Sequence, residues 1–175
     1  MESKILREAI SGDSGALTLL INKYKDIAFN LALGIVKNRE DAKDITQESF
    51  LKVLENIHKF RNESKFTTWL YKIVYNQSIG FMQRRIKMEI SDINNSKIHR
   101  QTMIIESEVD EYEELFQIID QLNESERNLI QLFYLGEKSL KEIHEITNLS
   151  ISNIKVILHR ARKKMFDNML YEAKR

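Results

Sequence analysis

Residues 139 to 166 read SLKEIHEITNLSISNIKVILHRARKKMF, and two helices with a tight turn can be read straight from them. Ser139 with Glu142 forms a capping box, in which two orphan amide donors are satisfied reciprocally. Ile143 and Ile146 give the short helix that follows an inner face. Asn148 to Ser150 is a turn, and Ser150 can cap the next helix. In that helix Ile151, Ile154, Leu158, Ala161 and Met165 form one apolar stripe. Ser152, Val156, His159, Arg160 and Lys163 lie on the opposite side. The pattern is that of a helix-turn-helix, whose second helix presents its polar, cationic face to a major groove with its amino-terminal residues nearest the base edges. Lys155 and Arg160 suit phosphates or guanine, and Val156 suits a thymine methyl. An ordinary helical hairpin with a wet basic face would share the pattern; the two caps and the HRARKK run favour DNA.

Upstream, charge is sharply segregated although the net charge is only +1. From Ile105 to Glu126 there are nine acids and no base, and from Lys155 to Arg175 seven bases and two acids. From His58 to Lys87 there are seven Lys or Arg and one acid, Glu63. Two basic islands split by an acidic stretch suggest two contacts with a polyanion and an exposed connector. Residues 91 to 110, SDINNSKIHRQTMIIESEVD, lose helical periodicity and read as a linker. The expected organisation is therefore all-α, with two small helical domains at residues 1–90 and 111–175 joined by a flexible linker at 91–110. Shorter helices are expected at about 111–121, 124–135, 139–147 and 151–169.

The first domain is helical in period too, and proline is absent. Asp13 is the expected N-cap of a helix from Ser14 to Val36, with Leu17, Leu20, Ile21, Tyr24, Ile27, Ala28, Leu31 and Ile35 at three- and four-residue steps. A second helix is expected from about Glu40 to Ile57, with Ala42, Ile45, Phe50, Val53, Leu54 and Ile57 facing inward. Its Asp44, Gln47 and Glu48 share one face, either a solvated acidic surface or a docking patch for a basic partner. A polar loop, His58 to Lys65, leads to a third helix that starts near Thr67 or Thr68 and reaches Lys87. This loop and helix combine cations with six rings: Phe60, Phe66, Trp69, Tyr71, Tyr75 and Phe81. Rings that stack on bases and cations that follow phosphates suit a single nucleic-acid strand. Part of the set, Trp69, Leu70, Ile73 and Val74 above all, is expected in the core.

Composition excludes several classes. Cysteine is absent, which removes disulfides, thiolate metal sites and a cysteine nucleophile and fits a reducing compartment. No apolar run approaches the roughly 18 residues of a membrane span, so a soluble, cytoplasmic protein is expected. Gly12-Asp13-Ser14-Gly15 imitates part of a serine-protease signature but is better read as a helix cap. His58, His99, His144 and His159 have no metal-ligand spacing. Neither an enzyme nor a cofactor is expected.

Taken together and in order, EDAKDITQESFLKVLENI, FRNESKFTTWLYKIVYN and LSISNIKVILHRARKKM closely resemble the extracytoplasmic-function sigma factors of bacterial RNA polymerase, over nearly the whole chain. The resemblance implies a region 2-like domain at 1–90 that docks on core RNA polymerase through Asp44, Gln47 and Glu48. It implies that the same domain melts the promoter minus-ten element. His58, Lys59, Phe60, Arg61, Asn62 and Lys65 would capture a flipped base, and Asn76, Arg84 and Arg85 would face promoter DNA. It implies a region 4-like domain at 111–175 that reads the minus-thirty-five element through Ser152, Asn153, Lys155, Val156, His159, Arg160 and Lys163. The partners so implied are core polymerase, promoter DNA as duplex and as melted strand, and an anti-sigma factor; neither a small-molecule substrate nor membrane insertion is implied. Gly80 stands where the family often has Asp, Val156 and Ile157 where it often has Ser-Arg, and Glu124 where it usually has Pro. The main rival, an autonomous helix-turn-helix regulator, explains the carboxy-terminal half but neither the Asp44 face nor the ring-rich basic helix.

Overall fold

The computed structural model describes residues 2 to 93, 119 and 121 to 172. The chain divides into two compact units, Met1–Met103 and Ile104–Arg175. All regular structure among the described residues is helical.

In the first unit, helix α1 (Glu2–Ile10) is an element that the charge-rich start of the chain concealed. Leu6 and Ala9 supply its buried face. It ends at Gly12, whose φ of 94° is a left-handed conformation that glycine adopts without a Cβ penalty. The next residue starts α2 (Ser14–Val36), with Asp13 Oδ1 accepting the Ala16 N–H at 2.7 Å. The Gly12–Gly15 stretch is thus a helix stop followed by a helix start. Lys37 at φ 54° closes α2, and Asn38 caps α3 (Arg39–Asn56) by accepting from the amides of Glu40 and Asp41. One turn of 3₁₀-helix, Ile57–Lys59, leads to the loop before α4 (Phe66–Ile93).

Helix α2 packs on α1, α3 and α4, and α3 packs on α4. Leu20, Ala28, Leu31 and Ala32 of α2 meet a core that includes Ile45 and Val53 of α3 and Leu70 and Val74 of α4. Small residues at Ala28, Ala32, Ala42, Ser49 and Ser78, all 1% exposed or less, let the backbones approach closely. The buried hydroxyls of Thr46, Ser49 and Ser78 each donate to the carbonyl four residues back, so no desolvation penalty is left unmet.

Helix α4 exceeds its expected length at both ends. Phe66 rather than Thr67 begins it, and it runs through Ser91–Ile93, three residues that had read as linker. No Gly or Pro interrupts it between Gly80 and Ile93, so backbone hydrogen bonding continues past the loss of periodicity. A Cβ on Gly80 would meet only the far end of Arg84, at 4.0 Å. That glycine costs the helix about 1 kcal/mol relative to Ala without any packing need. The rest of the expected linker, and most of the helix expected at 111–121, lie outside the described residues.

The second unit contains α5 (Glu124–Ile130), α6 (Leu140–Thr147) and α7 (Ile151–Glu172). Asn123 and Glu126 form a capping box on α5, and Ser139 and Glu142 form the expected one on α6. The helix expected to run from 124 to 135 changes pitch: Gln131–Leu135 is a π-helical turn, closed by the Gly136 N–H to the Gln131 carbonyl at 2.9 Å. Asn148, left-handed at φ 60°, makes the turn between α6 and α7, and Ser150 Oγ accepts the Asn153 N–H at 3.2 Å. Leu129, Leu132, Ile143, Ile146, Ile154, Leu158 and Ala161 form the core, each 2% exposed or less.

Candidate functional site

Helix α7 separates its residues by face. Ile154, Leu158 and Ala161 are buried, while Ser152, Asn153, Lys155, Val156, His159, Arg160 and Lys163 are all exposed. Ile151 was expected in the buried stripe but is 40% exposed, because it lies at the edge of that stripe in the first turn. At ~100° per residue, Ser152, Val156, His159, Arg160 and Lys163 fall within one sector centred on Val156. Lys155 lies outside that sector, on its flank.

The basic run His159–Lys164 divides further. Arg162 stays exposed but turns toward the π-helical turn: its Nε donates to the Tyr134 hydroxyl at 2.8 Å, and its guanidinium lies over the rings of Phe133 and Tyr134, 5.3 and 5.7 Å from their centroids. Lys164 donates to both carboxylate oxygens of Glu126 at 2.8 Å. Glu126 is 4% exposed and also accepts the Asn123 N–H at 3.1 Å. Burial by itself would raise the Glu126 pKa. The hydrogen bonds from Lys164 and the Asn123 backbone, with the charges of Lys164 and Arg160, outweigh burial and hold the pKa below its ordinary 4.5. Arg160 lies beside this group, lining an open cavity of about 310 Å³ with Asn123, Glu124, Ser125, Glu126 and Ile157.

In the first unit Asp44, Gln47 and Glu48 are exposed along α3. Their surface continues into an apolar groove between α2 and α3, lined by Ile21, Lys25, Gln47, Phe50, Leu51 and Leu54. Leu54, expected inward, is 40% exposed there, and Leu51 is 59% exposed. The loop after α3 exposes His58, Lys59, Arg61, Asn62 and Lys65, with Asn62 left-handed at φ 57°. Phe60 differs from the rest of the loop. It is buried, with its ring 5.3 Å from Trp69 and 6.0 Å from Phe66, and Phe66 in turn lies 5.4 Å from Tyr24. These rings anchor the loop from inside and leave its cations and amides outside.

Along α4, Asn76 is exposed, and Gln83 and Lys87 lie within ~20° of its direction, Lys72 within ~40°. None of these three neighbours stood among the expected site residues, although the spacing 72, 76, 83, 87 was there to find. Arg84 lies ~80° away and Arg85 ~180° away. Arg85 therefore does not share the Asn76 face: its Nη1 is 3.5 Å from Asp41 Oδ2 on α3.

The model of Sigma-70 region 2 matches residues 20–86, and that of Sigma-70 region 4 matches residues 112–165. The RNA polymerase sigma factor SigV of Bacillus subtilis is 30% identical over 85% of this chain and 88% of its own length. The chain belongs to the extracytoplasmic-function sigma factors of bacterial RNA polymerase. The ECF sigma factor SigW of the same organism is 29% identical over 94% of this chain and 95% of its own length. The sigma factor RpoE of Bartonella quintana, solved with the anti-sigma factor NepR, shares the fold with a TM-score of 0.72 at 19% identity, covering 87% of this chain and 95% of that one.

The sigma factor is thus a transcription initiation factor, and the region 4 match takes in α6 and α7 as far as residue 165. Among its described residues no helix is long and apolar enough to cross a membrane. The depressed Glu126 pKa has a consequence for this sigma factor that can be measured. With the folded value below the unfolded one, the α5–α7 tether contributes fully above about pH 4.5 and is lost as pH falls through the depressed value. Melting of the full chain should lose stability below about pH 4.5, and Glu126→Gln should remove that part of the acid loss. Wild-type and variant Tm-against-pH curves that run parallel would refute the assignment.

Proposed function

We propose that the first unit binds core RNA polymerase through Asp44, Gln47 and Glu48 and engages the melted minus-ten strand. We propose that the second binds the minus-thirty-five element as intact duplex. The observation that carries this reading is the outward face of α7: Ser152, Val156, His159, Arg160 and Lys163 stand in solvent directly opposite a stripe with no exposed surface to speak of. That arrangement, on the second helix of a capped helix-turn-helix, suits major-groove entry. His58, Lys59, Arg61, Asn62 and Lys65 suit a single strand. With Phe60 buried, the loop offers hydrogen bonds and charge to a flipped base, and the half-buried Trp69 is the nearest ring. Asn76, with Lys72, Gln83 and Lys87, suits the adjoining backbone, and Arg84 its edge. Val156 offers a methyl contact where a hydroxyl would hydrogen-bond.

Residues 1–90, 91–110 and 111–175 are proposed as the polymerase and minus-ten domain, the connector and the minus-thirty-five domain. The proposed protein acts in the cytoplasm, without catalysis of its own, and is held inactive by an anti-sigma factor of the kind that accompanies its structural relative. Run-off transcription with bacterial core polymerase on genomic fragments tests the reading. Discrete start sites that depend on the added chain are expected; their absence would overturn it. Arg160→Ala should weaken promoter binding and reduce the slope of log K against log salt by ~0.9, the value for one lost phosphate contact. An unchanged slope would remove Arg160 from the interface.

A further inference from the structure

The run His159–Lys164 holds four Lys or Arg and one His in six positions, and two of them, though exposed, bond to neighbouring elements. Seen down α7, the two leave from opposite flanks of the buried stripe, Lys164 roughly 90° to one side and Arg162 roughly 70° to the other. Lys164 reaches Glu126 at the start of α5; Arg162 reaches Tyr134 in the π-helical turn. The stripe itself, Ile154, Leu158 and Ala161, keeps that side of the helix turned inward, but apolar contact is non-directional and fixes the roll less finely than a hydrogen bond does. A roll of about 40° carries a side-chain tip about 4 Å, beyond the tolerance of a base-specific hydrogen bond. The charge-assisted pair at Glu126 and the single Arg162 Nε hydrogen bond to Tyr134 are directional and act on both sides of the axis. Glu126 is itself fixed by its capping bond to Asn123.

We propose that Glu126 and Tyr134 are positioning residues for duplex readout: they set the roll of α7 and hold Lys164 and Arg162 off the phosphates, so that Arg160 and Lys163 are the cations of the run that meet DNA. The inference rests on the assignment of α7 to duplex DNA. Its content is which cations count, and that is what a salt titration reads. Lys164 is still half exposed, its side chain retaining 50% of its accessible surface, so release from Glu126 would free it to reach a phosphate.

The test is binding of the full chain to a short random-sequence duplex, followed by fluorescence anisotropy over a salt series. Lys164→Met and Arg162→Met should leave the slope of log K against log salt unchanged; a fall of ~0.9 in either would overturn the proposal for that residue. Glu126→Gln should steepen the slope by up to ~0.9 as Lys164 is released, and should do nothing in a Lys164→Met background. A Glu126→Gln slope equal to wild type would overturn the tether. Should Glu126→Gln fail to fold by circular dichroism, the two methionine variants still decide. Arg160→Ala separates the two levels: if its slope is unchanged, the assignment of α7 to DNA fails. If its slope falls by ~0.9 and that of Lys164→Met falls as well, only the positioning inference fails.

Discussion

Replacing Asp44 and Gln47 together by arginine is expected to weaken binding to core RNA polymerase at least ~100-fold, which is about 2.8 kcal/mol at 1.4 kcal/mol per tenfold, with helix content unchanged. The two parts of that result have separate causes. Both residues are exposed on α3 and lie off its buried face of Ala42, Ile45, Ser49, Phe50 and Val53. Exposed substitutions away from caps and buried networks usually move stability within about 0.5 kcal/mol. At an interface the same change reverses the sign of the patch, and like charges brought together cost several kcal/mol. Gln47 also lines the apolar groove with Leu51 and Leu54, so one of the two arginines would stand where a partner's apolar surface has to settle. Titration of labelled core enzyme against the variant, with circular dichroism in parallel, checks both parts. Retained affinity with an intact spectrum would reject the docking role of this face.

The second large effect is on stability. Phe66→Ala is expected to cost the first unit about 3–5 kcal/mol, the range for deleting a buried aromatic ring. Phe66 is 4% exposed and is the hub of the ring cluster, touching Tyr24, Phe60 and Trp69. A domain of this size is modestly stable to begin with, since small domains bury only about 60% of their unfolded surface and total stability is about 5–15 kcal/mol. The variant should therefore melt far below wild type. Phe66→Leu keeps most of the volume and should lose chiefly the ring–ring term, about 0.5–1.5 kcal/mol. Thermal melts of the two variants by circular dichroism give the comparison; equal melting temperatures for Ala and Leu would show that Phe66 is not a core residue. Because Phe60 holds the loop through Phe66 and Trp69, transcription by the Phe66→Leu protein should suffer more than its melting temperature suggests. A proportionate loss would mean that the ring cluster does not position the loop.

Some of these features were legible before any tertiary contact. Asp13, Ser139, Glu142 and Ser150 satisfy amides within three residues of themselves, so their caps follow from adjacency in the chain. The helical period located α2 and α6 closely, and it placed Ser152, Val156, His159, Arg160 and Lys163 on one side of α7, because a face is a property of spacing alone. Helix α1 escaped notice because its buried face is only Leu6 and Ala9 among charges, too little for a period to stand out. The end of α4 is hidden in the sequence because amphipathicity fades before the helix does, and a helix with no Gly or Pro in its way does not stop for that reason.

What the amino-acid order settled by itself is the helical character of the longer elements, the caps of α2, α6 and α7, and the direction of their apolar stripes, all consequences of interactions within about a turn. What only the tertiary structure decided is the fate of long or large side chains at the borders of those stripes. Arg162 finds Tyr134 at a sequence separation of 28, Lys164 finds Glu126 at 38 and Arg85 finds Asp41 at 44. Phe60 turns in toward Phe66 and Trp69, while Leu51 and Leu54 stay out. A cation or a ring on a helix border can serve solvent, a ligand or a neighbour equally well, and the choice depends on what a distant segment brings within a few ångströms.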